Sequence, residues 1–403
     1  MPVGLMIAAM CAAEAVGILS FSTFPALLPT FMAEWSLSAT EAGWLSGLYF
    51  AGYMLAVPLL AGLTDRYDAR YIFLGSSVLS GAAAVAFAFL ATDFWSAVPL
   101  RILAGVGLAG TYMPGLRALT DRIPTESHPR AISFYTASMG VGISISYYFA
   151  GFINEWLDWH WAFALSALGP GICILAALAL LRPKPLAGEA AVPWSALFDF
   201  RPILRNREAM AYILSYSAHN WELFGFRSWI VAFLVFSLSL QPEPDLFAIS
   251  ATAIAAMVNL LGLPASVIGN EIATRFGRRR VVAAIMAASA ILGVAVGFSP
   301  GLPFVMVVAL LALYDITVSG ESASVTTGTI LAAPPERKGA AMAMHTFLGF
   351  AFAFLGSLAP GIALDMFGGT SSALAWSLAF VVMALGAAAG PAILFTLAKG
   401  RLR

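Results

Sequence analysis

The sequence predicts an all-α integral membrane protein of twelve transmembrane helices in two six-helix pseudo-repeats, with both termini cytoplasmic. Three observations carry that expectation. The chain is 60% hydrophobic and only 10% charged, with a mean hydropathy of +0.87, whereas a soluble domain carries about 25% charged residues. Apolar stretches of roughly 20 residues, the length that crosses a bilayer, recur along its whole length. Lys and Arg collect in alternate loops, as cytoplasmic segments require.

In the first half such stretches fall near 5–29, 42–61, 71–91, 96–119, 131–153 and 160–181. In the second half they fall near 209–239, 247–269, 281–299, 303–332, 340–364 and 372–397. The long polar connection, 182–208, is too short for a soluble domain. It reads as a cytoplasmic linker between a half at 1–181 and a half at 209–403, with one interfacial helix around Trp194–Phe200. Of the 21 Lys and Arg residues, all but Arg101 and Arg227 lie in loops after even-numbered spans, in the linker or in the C-terminal tail. The loops on the other face hold none, which places both termini in the cytoplasm.

Net charge is zero, so a nucleic-acid partner is not expected. Cys11 and Cys173 lie in apolar stretches and form neither a metal-spaced pair nor a disulfide framework. The N-terminus has no basic segment ahead of its apolar stretch, so no cleavable signal peptide is expected.

Two loops at equivalent places repeat one pattern: AGLTDRYDARY at 61–71, after span 2, and NEIATRFGRRR at 270–280, after span 8. Each resembles the G-x-L-A-D-R-x-G-R-R motif of the major facilitator superfamily. In the first copy Leu63, Asp65, Arg66 and Arg70 match, while Ala61 and Asp68 replace the glycines. In the second, Ala273, Arg275, Gly277, Arg278 and Arg279 match, and Thr274 stands where the acid would be. Span 4 opens RILAGVGLAGTYMPG and resembles the family's arginine followed by a glycine-rich run, with Arg101 as that arginine. Its Gly105, Gly107 and Gly110 spell G-x-G-x-x-G, but no strand precedes them, so close helix packing is expected and not a dinucleotide site. Span 5 lacks the glycine–proline signature of the family's drug antiporters, which counts against proton-driven drug export.

The resemblance implies a transporter working by alternating access, with spans 1, 4, 7 and 10 lining its cavity. Those spans hold the intramembrane ionisable residues: Glu14, Arg101, Glu222, Arg227, Asp315 and Glu321, with His219 and His345 beside them. Unpaired and facing lipid, six charges would cost on the order of 15–20 kcal/mol, more than a typical folding free energy of about 5–15 kcal/mol. They must be paired, protonated or facing a wet cavity. Glu222 and Arg227 stand about 140° apart around one helix and are not expected to pair with each other. Arg227 shares a face with Asn220 and Phe224; Glu321 shares one with Tyr314 and Thr317, and Asp315 one with Ser319 and Ser322.

The expectation is a secondary transporter of a small organic solute, with an anionic group for Arg227 to bind, proton-coupled and directed to uptake. Substrate binding falls to Arg227, Asn220, Glu222, Trp229, Tyr112, Tyr314 and Arg101. Proton coupling falls to Glu14, Glu222, Glu321 and Asp315. Conformational gating falls to Asp65, Arg66, Arg70, Arg275, Gly277, Arg278 and His345. Each acid equally fits a structural ion pair. Partners are the substrate, protons and the lipid bilayer of the inner membrane; the protein is expected to be a monomer with no cofactor. Efflux by proton antiport is the nearest alternative. Met342, Met344 and His345 also admit a transition-metal transporter, although no metal site is expected. A membrane-embedded sensor or enzyme is the alternative from another class. It lacks support, because no H-E-x-x-H, G-x-S-x-G or phosphate-loop motif occurs and His128, His160, His219 and His345 lie in four different segments.

Overall fold

The computed structural model describes residues 2–184, 200–243 and 249–397. Residues 194–199 of the expected interfacial helix lie outside them, as do the tail cations Lys399, Arg401 and Arg403. The described residues form helices and contain no strand. In the first half these are α1 Val3–Gly17, α2 Thr23–Ala26, α3 Leu28–Glu34, α4 Ala39–Leu63, α5 Ala69–Leu90, α6 Phe94–Thr120, α7 His128–Trp156, α8 Trp159–Ser166 and α9 Leu168–Leu180. After the linker come α10 Arg201–Arg205, α11 Arg207–Ser239, α12 Ala251–Phe276, α13 Arg278–Gly297, α14 Phe304–Gly320, α15 Ser322–Ala332, α16 Lys338–Met366 and α17 Ala373–Leu397.

The helices start where a polar side chain can hold an orphan backbone amide. Asp93 and Ser96 form a reciprocal capping box at α6. Asp158 accepts from Trp161 N at α8, Asn206 from Ala209 N at α11, and Ser250 from Ala253 N at α12. Gly277, with φ +94°, separates α12 from α13. That left-handed backbone favours glycine, which gives a physical reason for the glycine of the second motif copy. At the matching position of the first copy φ is −53°, so Asp68 sits there without strain.

Among the described residues, eleven helical stretches are long and apolar enough to cross a membrane, and Val3–Gly17 is a shorter apolar helix. The structure corrects one expectation of continuity. Span 1 breaks after Gly17 and continues as α2 and α3. Serines of α7 answer the freed backbone: Ser22 N donates to Ser146 Oγ, Ser146 Oγ donates to Leu19 O, and Ser22 Oγ donates to Ile143 O. A bilayer core offers no water to do this, so a broken span survives only against such partners. Span 10 runs on through Glu321, between α14 and α15: that residue keeps right-handed helical backbone, with φ −90° and ψ −12°, and its carbonyl accepts from Val325 N at 2.9 Å. There the Ala323 amide donates to Ser266 Oγ.

The chain divides into two compact units, Met1–Leu27 with Leu48–Leu197 and Leu28–Gly47 with Phe198–Arg403. In the first, α6 lies close against α4 and α5: a Cβ at Gly105 would strike the Tyr49 carbonyl, one at Gly107 the side chain of Ser80, and one at Gly110 that of Ser76. The G-x-G-x-x-G run is therefore a packing surface. In the second unit α11 is the most enclosed span, with 78% of its apolar window buried against 33–56% for the others. Trp229, Phe233, Trp376 and Phe380 pack edge-to-face around it. The start of α4 belongs here as well. The Asp365 carboxylate accepts from Ala39 N at 3.0 Å and Thr40 N at 2.7 Å, capping the helix.

Candidate functional site

The enclosure of α11 explains how it carries ionisable groups, since their neighbours are other helices. Glu222 is fully buried, and both of its oxygens accept hydrogen bonds, from Tyr314 Oη at 3.0 Å and from Ser289 Oγ at 3.0 Å. One turn earlier, His219 Nδ1 stands 3.2 Å from Glu321 Oε1, with both side chains at 1% exposure or less. His219 Nε2 and Glu321 Oε2 are buried and have no hydrogen-bond partner among the described residues. Asp315, one residue beyond Tyr314, is likewise buried, with no side-chain hydrogen-bond donor on either carboxylate oxygen among the described residues. It lies against Ser319 and the bare backbone of Gly262, where a Cβ would approach Asp315 Oδ2 to 2.8 Å.

Arg227 is half-buried and turned away from Glu222. Its Nε donates to Asn259 Oδ1 at 2.9 Å, and its guanidinium lies 5.9 Å from the Phe224 ring centre. Its charge bears on both Asp315 and His219. Asn220 lies beside Tyr216 and fits because residue 349 is glycine. Trp229 is fully buried; its indole N–H donates to Ser357 O, and its ring meets Trp376. His345 bonds Thr329 Oγ1 at 3.1 Å and Thr326 Oγ1 at 3.4 Å and stacks on Tyr216 at 3.7 Å. Among the described residues no three His, Cys, Asp or Glu side chains stand close enough to share a metal ion.

The first unit has a smaller cluster. Glu14 is buried; Tyr135 Oη donates to its Oε2 at 2.9 Å, and its Oε1 has no partner among the described residues. Tyr112 stacks on Tyr135. Arg101, 2% exposed, lies between aromatic faces, 4.8 Å from the Phe24 centroid and 4.9 Å from that of Tyr49. Cation–π contact of this kind stabilises a desolvated guanidinium by ~2 kcal/mol.

At the motif loops the two acids of the first copy differ sharply in burial. Asp65 pairs with Arg117 at 2.5 Å, with both side chains partly exposed. Asp68 pairs with Arg122 at 2.6 Å, at 5% and 7% exposure. It also accepts from Arg70 N and Lys184 N, while Arg122 donates to Arg182 O and Ala118 O. Burial works against the Asp68 charge, but the hydrogen bonds from Arg122 and the two amides outweigh it and hold the carboxyl below the usual carboxylate range. Arg70 is buried and its Nε faces Ala177 O. In the second copy Arg278 donates to Asn270 Oδ1 and to Thr274 Oγ1. Arg275 is exposed.

Several partners were not legible in the sequence. Asn259, Ser289 and Arg117 each complete a contact with an expected site residue, and Arg122 completes one with Asp68; none of the four stands out in its own segment. Asp68 did carry a signal, as an acid standing where the motif has glycine.

Fold and site together define a multi-pass helical membrane protein whose buried middle holds ionisable side chains. The sequence profile of the Major Facilitator Superfamily matches residues 10–346, and the chain belongs to that superfamily. It is 26% identical over 157 residues to the probable sphingolipid transporter spinster homolog 1 of Arabidopsis thaliana, covering 39% of this chain and 32% of that protein. Over 152 residues it is 26% identical to the niacin transporter NiaP of Acinetobacter baylyi, covering 38% and 33%. Over 171 residues it is 30% identical to the tetracycline resistance protein, class H, of Pasteurella multocida, covering 42% of each. The matches thus span between 32% and 42% of the length of these curated relatives.

Among solved structures, the chain resembles a bacterial homologue of the human lysosomal transporter Spinster, with a TM-score of 0.77 at 16% identity over 99% of this chain and 97% of that one. It also resembles the nucleoside transporter NupG, with a TM-score of 0.78 at 15% identity over the whole of both chains. At such identities the likeness is one of fold.

Proposed function

We propose that this protein is a secondary active transporter. It carries a small organic solute across the inner membrane by alternating access, coupled to protons and directed to uptake, as a monomer with both termini cytoplasmic. The halves 1–181 and 209–403, joined by the linker 182–208, supply the two moving bodies. The observation that carries the reading is the imbalance of buried charge among the described residues of the second unit: three carboxyls, Glu222, Asp315 and Glu321, against one guanidinium, Arg227. An intramembrane acid without a cation partner is stable when protonated, and acids that hold protons inside a membrane are the means of proton coupling.

Arg227 with Asn220 provides the polar anchor for an anionic or hydrogen-bonding substrate. Of the other residues proposed to act in substrate binding, Trp229 and Tyr314 share the second unit with Arg227, and Arg101 and Tyr112 belong to the first. Glu14, with Glu222, Glu321 and Asp315, forms the set from which the coupling sites are drawn. The cytoplasmic motif residues Asp65, Arg66, Arg70, Arg275, Gly277 and Arg278, with His345 a turn inside span 11, govern the change of state. Relatives named for the transport of niacin, nucleosides and sphingolipids support an organic solute over an inorganic ion. The match to a tetracycline resistance protein favours a second reading, efflux by proton antiport; the absence of a proline from span 5 weighs against it.

The test begins with a thermal-shift screen of purified protein against niacin, nucleosides, sphingolipids, tetracycline and a wider solute library, since a ligand of the native state raises Tm. The best ligand is then offered to proteoliposomes under an imposed pH gradient. Accumulation that an uncoupler abolishes supports the reading. Facilitated flux indifferent to the uncoupler removes proton coupling, and ligand binding with no flux favours a sensor.

A further inference from the structure

The long-range hydrogen bonds of the second unit include one helix cap of an unusual kind. The first amides of a helix lack partners inside it and must find them elsewhere. At α4 the residues beside the start answer two of them. Ser38 N and Ser38 Oγ donate to Glu41 Oε2 at 2.9 Å, and Glu41 N donates to Ser38 Oγ at 3.1 Å, a reciprocal capping box. The other two, Ala39 N and Thr40 N, donate to the two oxygens of Asp365, 326 and 325 residues away. Asp93, Asp158, Asn206 and Ser250 each cap the helix they precede, whereas Asp365 stands in the last turn of α16. Its negative charge also meets the positive end of the α4 dipole.

Beyond the cap, α4 and α16 touch backbone to backbone. A Cβ at Gly43 would meet the Leu358 backbone at 3.1 Å, one at Gly47 the Phe354 carbonyl at 2.7 Å, and one at Gly361 would strike the Ala39 carbonyl. Ala39, Gly43 and Gly47 recur every fourth residue, the small-residue spacing that lets membrane helices approach closely. Trp44 packs its ring against Phe354 beside them. This seam stops partway along the helix. α4 is one continuous helix, Ala39–Leu63, yet it belongs to the second unit up to Gly47 and to the first from Leu48. One turn past Leu48, a Cβ at Gly52 would strike the Ile102 carbonyl of α6, in the first unit. A helix seated on one body by one half and on another by the other half must let go of one of them if the two move apart.

We propose that Asp365 is a latch on the outer face that closes the seam between α4 and α16, and that residues 28–47 leave the second unit when the transporter opens to the outside. This rests on the alternating-access reading and the topology above, and adds to them the residue that holds the outer side closed. The bond suits a reversible contact. Asp365 is exposed, and its hydrogen bonds can be exchanged for bonds to water, so the latch opens at modest cost. Once released, Ala39 N and Thr40 N return to water, while Ser38 and Glu41 keep the helix start capped. Ala39 and two glycines make up the α4 side of the seam, so parting it strands no buried charge. The Asp68–Arg122 pair of the first unit, at 5% and 7% exposure, is the opposite case, a contact too costly to open and close.

The test uses the full chain in intact cells and needs no substrate. Leu358, 7% exposed, is replaced by Cys, and its rate of reaction with an impermeant maleimide added outside is measured above the background of the parent, which carries Cys11 and Cys173. The closed seam should make that rate slow. Asp365→Asn, which loses the charge and one acceptor oxygen, should raise it by about tenfold or more, the equivalent of one charge-assisted hydrogen bond. Asp365→Glu, which keeps the carboxylate, should return most of the protection. Gly361→Ala, whose methyl group wedges the seam at Ala39, should raise the rate with the carboxylate in place. Asp158→Asn, which removes a helix cap of the first unit, should leave the rate unchanged. A rate that Gly361→Ala raises and Asp365→Asn does not move overturns the latch. An equal rise in Asp158→Asn overturns it too, as general loosening. A fall in Tm for Asp365→Asn with no change in rate makes the residue a structural cap only. Fast labelling of Leu358→Cys in the otherwise unaltered chain shows an open seam and overturns the proposal as well. Failure of the broader reading looks different: a latch that responds as expected in a protein that moves no solute keeps Asp365 and removes transport.

Discussion

The two acids of the first motif copy allow a sharp prediction, because they stand three residues apart in sequence and in opposite environments. Replacing Asp68 by Asn keeps a capping oxygen but removes the charge. Arg122 then remains at 7% side-chain exposure with its counter-ion gone. Breaking one side of a buried pair costs about 3–5 kcal/mol. At roughly 2–4 °C per kcal/mol for a unit of this size, Tm should fall by on the order of 10 °C. Asp65→Asn breaks a pair whose side chains are 30% and 42% exposed, and exposed pairs contribute about 0–1 kcal/mol. Its Tm should hardly move.

The pH dependence has a definite sign. The folded state keeps the Asp68 carboxyl below its ordinary range, so folding favours the ionised form. The clamp is therefore complete at neutral pH, above the unfolded carboxyl value of about 3.9. It is lost as pH falls through the depressed folded value. The measurement is thermal unfolding of purified protein in detergent from neutral to acid pH, for wild type, both Asn variants, Arg122→Gln and the Asp68→Asn/Arg122→Gln double variant. The double variant should recover part of the loss, since it no longer buries an unpaired charge. Equal small effects at residues 65 and 68, or an unaltered acid limb in Asp68→Asn, would refute the reasoning.

Three further outcomes are expected. Impermeant thiol labelling of intact cells should reach Glu34→Cys and Asp93→Cys but not Arg278→Cys, and external labelling at residue 278 would invert the topology. Arg227→Lys should weaken substrate binding, since an ammonium loses the planar fork. Arg227→Gln should weaken it by roughly ten- to a hundredfold, the equivalent of one charge-assisted hydrogen bond, with the half-buried site keeping Tm within a few degrees; unchanged affinity in a folded variant removes Arg227 from the site. Gly107→Ala should destabilise the protein by about 1–3 kcal/mol, because its methyl group meets Ser80, and an unchanged Tm would show that α5 and α6 can separate freely.

Hydropathy and charge are properties of a chain read locally, and what depends on them alone is legible in the amino-acid sequence. Apolar length located the spans, and the distribution of Arg and Lys supports their direction. The glycine run of span 4 announced close packing, and the tandem loops at 61–71 and 270–280 carried the family. The identity of the buried ionisable residues was legible for the same reason, since any charge stands out in an apolar run. Their partners were not. His219 and Glu321 are 102 residues apart, Ser289 and Glu222 67, and Arg122 and Asp68 54. Helical periodicity reports the face of one helix and says nothing of which helix lies opposite. The break in span 1 was hidden too. Leu19 sits in a sequence that could continue a helix, and the serine that answers the freed backbone, Ser146, belongs to another span. Burial had the same origin: Asp65 and Asp68 read alike as loop acids, and only the approach of Arg122 and the Lys184 amide took one of them out of water while leaving the other exposed.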